Sequence, residues 1–205
     1  MIQYTLIQEF SANGRGIHSG SECHVVVKPG DLGSGYLLIR SDLHDEPSVL
    51  IHPNLVCETD RCTTLKKNNV LVHTAEHLLS ALFGLGILDA EIHCSAPELP
   101  ILDGSALPWV EAIEAAGRSE VGPMRGYSLR APIRVEDPET GSWAEANPAT
   151  IPSYHVALSH EPEAIGPRAA HFTYGGDYAT AIAPARTFTL ASHLLPMIHR
   201  GLLQG

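Results

Sequence analysis

The sequence predicts an α+β chain of two domains, each a β-sheet layered with helices, on three observations. Strand-like runs come first and helical runs afterwards, and this succession occurs twice. Between the two rounds, Gly117 to Gly126 has the glycine, proline and charge of a linker, which sets the domains at 1–122 and 127–205. The 205 residues, 44% hydrophobic and 18% charged, are enough for a soluble chain with a real core.

Taken in order, residues 1–9 alternate as a strand. Ser11 to Gly20 reads as a glycine-rich loop, in which Gly14, Gly16 and Gly20 let the backbone turn and present His18. It lacks the strand-to-helix context of a dinucleotide fingerprint. Cys23 to Lys28, with three successive valines, is a strand stopped by Pro29-Gly30, and Tyr36 to Arg40 and Ser48 to Ile51 are two more. Asn54 to Leu65 is a loop running into a strand. Thr74 is a candidate N-cap for the helix that follows. Ala75, Leu78, Leu79 and Leu82 recur at helical spacing, and Gly84 and Gly86 stop the run. Ala90 to Cys94 is a strand, Ala96 to Ala106 a turn-rich loop, and Leu107 to Ala116 a second helix with Pro108 in its first turn. Beyond the linker, strands are expected at Tyr127 to Val135, Ser142 to Ala146, Ser153 to Ser159 and Ala170 to Tyr174. Ala179 to Ile182 then leads into Ala183 to Phe188, and a last helix runs from Leu190 to His199, interrupted by Pro196.

Several classes are excluded by composition. A net charge of −10 argues against nucleic acid as the main partner, since a phosphate footprint needs clustered Lys and Arg. No apolar run approaches the roughly 18–20 residues of a membrane span. Met1 to Thr5 has no basic region or cleavage site of a secretory signal. The four cysteines form no C-x-x-C pair, which argues against a cysteine zinc site and for a reducing cytoplasm.

The chemistry concentrates at the mouth of the first helix. Glu76 and His77 fall in its first turn, where the helix dipole favours the carboxylate and disfavours imidazolium. A neutral imidazole beside an ionised carboxylate offers a metal ligand and a general base, the elements of a hydrolytic zinc site. The plain alternative is a surface turn with ordinary histidines. His73 to His77 also matches H-x-x-E-H, the inverted zinc-peptidase signature, in which both histidines bind the metal. Capping by Thr74 would leave His73 outside the helix, and no third carboxylate ligand is evident.

Five segments occur in one order: Gly14-Arg15-Gly16-Ile17-His18-Ser19-Gly20; Cys62-Thr63-Thr64-Leu65; Thr74-Ala75-Glu76-His77-Leu78-Leu79-Ser80-Ala81-Leu82; Pro100-Ile101-Leu102-Asp103-Gly104-Ser105-Ala106; and Ile182-Ala183-Pro184-Ala185-Arg186-Thr187-Phe188. Together they resemble UDP-3-O-acyl-N-acetylglucosamine deacetylase, the zinc amidase of lipid A biosynthesis, across essentially the whole chain. The resemblance implies Zn2+ as cofactor, His77 as a zinc ligand and Glu76 as the base acting on metal-bound water. It implies that Thr187 stabilises the tetrahedral oxyanion, that Asp60, Arg61, Cys62 and Phe188 line the substrate pocket, and that His18 stands near the site. His73 is not a ligand in that family. The implied substrate is a UDP-linked acylated glucosamine, handled in the cytoplasm.

The sequence also departs from the family. The family's other zinc ligands, a histidine and an aspartate one turn apart, follow on a later helix, with the histidine that protonates the leaving amine. Here His155, His160, His171, His193 and His199 match no such motif. The expectation is therefore a second domain lacking its C-terminal part, and a 205-residue chain that is itself an inactive fragment. Asp60 and Arg61 replace apolar pocket residues, Leu158 to Pro162 lacks the aromatic residue placed against uracil, and Ser142 stands where a lysine often precedes Trp143. The alternative is a non-catalytic relative that binds a nucleotide sugar or a protein.

Overall fold

The structure is a computed structural model that describes every residue except Arg125, Tyr127 and 160–165. It divides into two compact units: Ile2–Gly122 with Asp177–Gly205, and Pro123–Gly176 with Met1.

The larger unit is built on a five-stranded sheet. In chain order this unit begins with β1 (Ile2–Leu6), β2 (Phe10–Arg15), β3 (Glu22–Pro29), β4 (Tyr36–Arg40) and β5 (Ser48–Leu50). A 3-10 turn over Pro53–Leu55 leads to β6 (Val56–Glu58), β7 (Thr64–Lys67) and β8 (Val70–Val72), and then to α1 (Glu76–Gly84), β9 (Ala90–Cys94) and α2 (Leu107–Ala116). The main sheet has the order β2-β3-β9-β4-β5, with β4 and β9 parallel and the other pairs antiparallel. A second antiparallel sheet, β6-β7-β8, precedes α1.

Period-two alternation chose the buried face. Cys23, Val25 and Val27 of β3 are buried, as are Ala90, Ile92 and Cys94 of β9, and register sets Val25 opposite Cys94 and Val27 opposite Ile92. Leu78, Ala81 and Leu82 of α1 and Trp109, Val110 and Ile113 of α2 are buried, and α1 packs on α2, which in turn packs on β2.

Two expected connections turn out to be partly strand. Phe10–Arg15, which takes in the first half (11–15) of the glycine-rich loop expected from Ser11 to Gly20, pairs with β3 from Phe10 opposite Val27 to Arg15 opposite Glu22. Arg118–Pro123, inside the expected linker, is a strand, β10, that pairs with β1. In both segments pairing, with the next strand for Phe10–Arg15 and with a distant one for Arg118–Pro123, overrides the low strand preference of glycine and proline.

In the smaller unit, β11 (Ile133–Glu136) pairs with β12 (Trp143–Ala146), and β13 (Ser153–Leu158) pairs with β14 (Arg168–Thr173). Nearly every residue of these strands is exposed. The Arg134 guanidinium lies 4.1 Å from the Trp143 ring centroid, and the His155 and His171 rings stack at 4.1 Å. Part of the Leu158 to Pro162 segment lies outside the described residues, as does the start of the strand expected from Tyr127.

The last 29 residues were expected in the second domain, 127–205. They pack with Ile2–Gly122 instead, through α3 (Tyr178–Ala181) and α4 (Ala191–His199). Tyr178 is buried, its hydroxyl is 2.6 Å from Ser80 Oγ on α1, and its ring fills the space beside Gly84, where an added Cβ would meet it at 2.4 Å. Buried contact with α1 outweighs sequence proximity. No helix among the described residues is long and apolar enough to cross a membrane.

Candidate active site

Glu76 and His77 are delivered by the turn between β8 and α1. His73 N donates to Pro97 O at 2.8 Å and Leu99 N donates to His73 O at 3.1 Å, which bridges His73 to the 97–99 segment as a strand residue. Thr74 then takes φ 58°, in the left-handed region, and swings the chain into the helix. The expected capping by Thr74 does not occur: Ala75 is the N-cap, with no side-chain cap hydrogen bond. The Thr74 hydroxyl donates to Glu98 at 3.1 Å instead. His73 therefore lies outside α1, and the one-turn histidine pair of the peptidase signature is not formed. His73 Nδ1 sits 2.9 Å from Thr64 Oγ1. Glu76 opens the helix as expected, and its Oε2 accepts from Thr63 N at 2.9 Å.

The loop after β2 closes on itself, with Gly16 N donating to Ser21 O and Gly20 N to Gly16 O, both at 3.0 Å. Glu98, fully buried, accepts from His18 N at 3.0 Å and from Ser19 N at 2.7 Å. Burial pushes the Glu98 carboxyl up, but the donors of Ser19, His18 and Thr74 outweigh it and hold it below the ordinary glutamate range. On the other flank of the loop, Gln204 N donates to His18 O and Gly205 N to Ile17 O.

Thr187 and Phe188 are carried by the segment after α3, which is fastened to the 101–106 loop. Ala106 N donates to Ala183 O at 3.1 Å and Thr187 N to Gly104 O at 2.8 Å, and Arg186 pairs with Asp103 at 3.0 Å. The hydroxyl and amide of Ser105, with Arg186, hold Asp103 below the usual carboxylate range.

These pieces, with the 58–62 loop and the residues of and after α4, border a cavity of about 200 Å3 lined by His18, Arg61, Glu76, His77, Thr187 and Phe188, with Ile17, Ile101, Met197 and Leu203 as apolar wall. Six of the eight residues proposed from sequence thus meet at one place. Asp60 and Cys62 do not line it. They border a second hollow of about 220 Å3, shared with His73, Glu98 and Arg200, and His18 lines both. His18 Nδ1 is buried without a hydrogen bond. The 58–62 loop is joined to the C-terminal helix: Asp60 pairs with Arg200, which lowers its pKa, and Arg61 Nη2 lies 3.4 Å from His193 Nδ1. Sequence reasoning missed Glu98, Met197, Arg200 and Leu203. For Glu98 a signal existed, a lone acid between Ala96-Pro97 and Leu99-Pro100-Ile101.

The model of the LpxC family, described as UDP-3-O-acyl N-acetylglycosamine deacetylase, matches residues 3–205. The chain belongs to that family. Among its relatives, the bifunctional enzyme LpxC/FabZ of Chlorobaculum tepidum is 33% identical over 205 residues, 99% of this chain and 44% of that protein. The UDP-3-O-acyl-N-acetylglucosamine deacetylase of a Nostoc species is 32% identical over 212 residues, all of this chain and 75% of the relative. That of Shewanella loihica is 38% identical over 150 residues, 72% of this chain and 48% of the relative. The chain spans under half the length of the bifunctional relatives it matches.

Deacetylases of this family are expected to hold zinc, and His77 offers an imidazole at the cavity wall. Among the described residues, however, no group of three or more His, Cys, Asp or Glu side chains is arranged to hold a metal ion. The donor set gathered here falls short of the three protein ligands of a catalytic zinc site.

Proposed function

We propose that the cavity is a site for hydrolysis of the acetamide of a UDP-3-O-acyl-N-acetylglucosamine, releasing acetate, in lipid A biosynthesis. The observation that supports this reading is the convergence of Glu76, His77, His18 and Thr187 on one cavity in a member of a deacetylase family. Glu76, one oxygen occupied by the Thr63 amide, acts as general base toward the attacking water. The Thr187 hydroxyl, held by the Gly104 carbonyl through its own amide, donates to the oxyanion that develops on the acetamide. His18 and Arg61 offer polar contacts to the substrate, and Phe188 offers an apolar face. Asp60 and Cys62 contribute from the adjoining hollow. We assign His77 as a zinc donor, and proton abstraction from water is assigned to Glu76. We assign the protein to a reducing compartment such as the cytoplasm, a reading that rests on four scattered cysteines with no C-x-x-C pair in the sequence.

Acetate release and metal content test this reading together. In a form of the protein that carries the family's remaining zinc ligands, Glu76→Ala is expected to lower turnover by about 10²–10⁴-fold with zinc content unchanged, whereas the 205-residue chain alone is expected to bind zinc weakly and release little acetate. His77→Ala is expected to lose zinc, and retained metal in that variant would overturn the donor assignment. His73→Ala should keep it. Binding of the nucleotide sugar without acetate release by a form that carries the remaining zinc ligands would mark the protein as a non-catalytic, sugar-binding relative.

A further inference from the structure

We infer that Glu98 is a positioning residue: it ties the loop that presents His18 to the turn that launches the helix bearing Glu76 and His77. The inference rests on reading the cavity as the active site. Glu98 is 0% exposed, and its carboxylate takes three hydrogen bonds from two segments distant in sequence. Oε1 accepts from His18 N and from the Thr74 hydroxyl, and Oε2 accepts from Ser19 N. No Lys or Arg among the described residues forms an ion pair with it. A buried acid satisfied only by neutral donors serves as a multiple acceptor, a task that an apolar residue cannot perform and that a carboxamide, with one acceptor oxygen, performs poorly.

The fit is close. A Cβ on Gly16 would lie 2.3 Å from Glu98 Oε2, so the loop can approach the carboxylate only with glycine there. Both peptide groups flanking His18 are held, the amide nitrogen by Glu98 and the carbonyl by Gln204 N at 3.3 Å. With its backbone fixed on both sides, the direction in which the His18 side chain leaves the loop is fixed as well. Thr74, clamped by the same Oε1, immediately precedes Ala75 and Glu76. One carboxylate therefore sets the spacing between His18 and the start of α1.

The test is Glu98→Gln in the full chain, read by amide hydrogen exchange, by the His18 ring resonances in NMR, and by calorimetric affinity for UDP-3-O-acyl-N-acetylglucosamine. Exchange at the His18 and Ser19 amides should quicken at least tenfold while β3 amides keep their protection, and the His18 ring resonances should shift while those of His44 stay. His18→Ala and Glu98→Gln should each weaken affinity, and the double variant should be no weaker than His18→Ala alone. Unchanged His18 and Ser19 exchange, or fully additive losses of affinity, would overturn the inference. If His18→Ala leaves affinity unaltered, the active-site reading falls, while the exchange data still judge the clamp. Should Glu98→Gln fail to fold, Thr74→Val, which removes one of the three donors, is read in the same way.

Discussion

The two units spend their apolar residues differently. In the larger one, Val25, Val27 and Ile92 of the main sheet and Leu78 and Trp109 of the two helices are all buried. In the smaller one, Ile133, Val135, Trp143, Tyr154, Val156 and Leu158 are exposed, although their strands pair in regular antiparallel register. Hydrogen-bonded pairing alone does not make a core; a strand needs a layer against its face. Every residue of the proposed site lies in the unit that has such layers. Rigid support is what a site that must hold several groups in fixed relation requires.

That contrast can be broken by substitution. Trp109→Ala removes a ring that is 0% exposed and should cost about 3–5 kcal/mol in urea unfolding. A cost near zero would mean that α2 is not part of a packed core. Next in size is Glu98→Gln, which weakens hydrogen bonds to a buried charge worth about 1.5–3 kcal/mol. Its pH signature is specific. Glu98 is held below the ordinary glutamate value of 4.5, so the stability it provides is present above that value and is lost as pH falls through its lower folded value. Thermal melts from pH 7 down to pH 3 should therefore show a shallower acid loss for Glu98→Gln than for the parent. An identical acid limb would show that Glu98 is not the ionised group supposed.

Gly84→Ala is expected to cost about 1–3 kcal/mol, because the new methyl collides with the Tyr178 ring. It tests whether Asp177–Gly205 packs with the first 122 residues. A neutral or stabilising result, as for an exposed helix glycine, would detach that segment. Smallest is Trp143→Ala, at 60% exposure and with Arg134 stacked over it, at about 0.5–1 kcal/mol. A loss as large as that of Trp109→Ala would erase the distinction between the units.

Much of this arrangement was legible in the sequence. Alternation in Cys23 to Lys28 and Ala90 to Cys94, and helical spacing in 75–82 and 107–116, place the main strands and helices because each pattern is local. Of the cavity's residues, His18, Glu76 and His77 stood out in local pattern, whereas Arg61, Thr187 and Phe188 followed only from the resemblance of the ordered segments. What escaped was set by partners far along the chain. Arg118–Pro123 becomes a strand through β1, at the start of the chain. Thr74 looks like a cap by its position, yet its hydroxyl is taken by Glu98, 24 residues away. Glu98 itself receives donors from residues 79 and 80 positions earlier, and nothing in Ala96 to Ala106 announces them.

The parallel pairing of β4 with β9 has a consequence for how the site comes into being. Strand β4 ends at Arg40 and β9 begins at Ala90, so the chain between them is the crossover that parallel neighbours require. That crossover carries the 58–62 loop, the β6-β7-β8 sheet and α1 with Glu76 and His77. Joining β4 to β9 closes a loop of about fifty residues, an entropic cost met before the pair's own contacts form. The helix that carries Glu76 and His77 therefore lies inside the loop that the pairing of β4 with β9 closes, so its placement and the completion of the central sheet share one long-range contact.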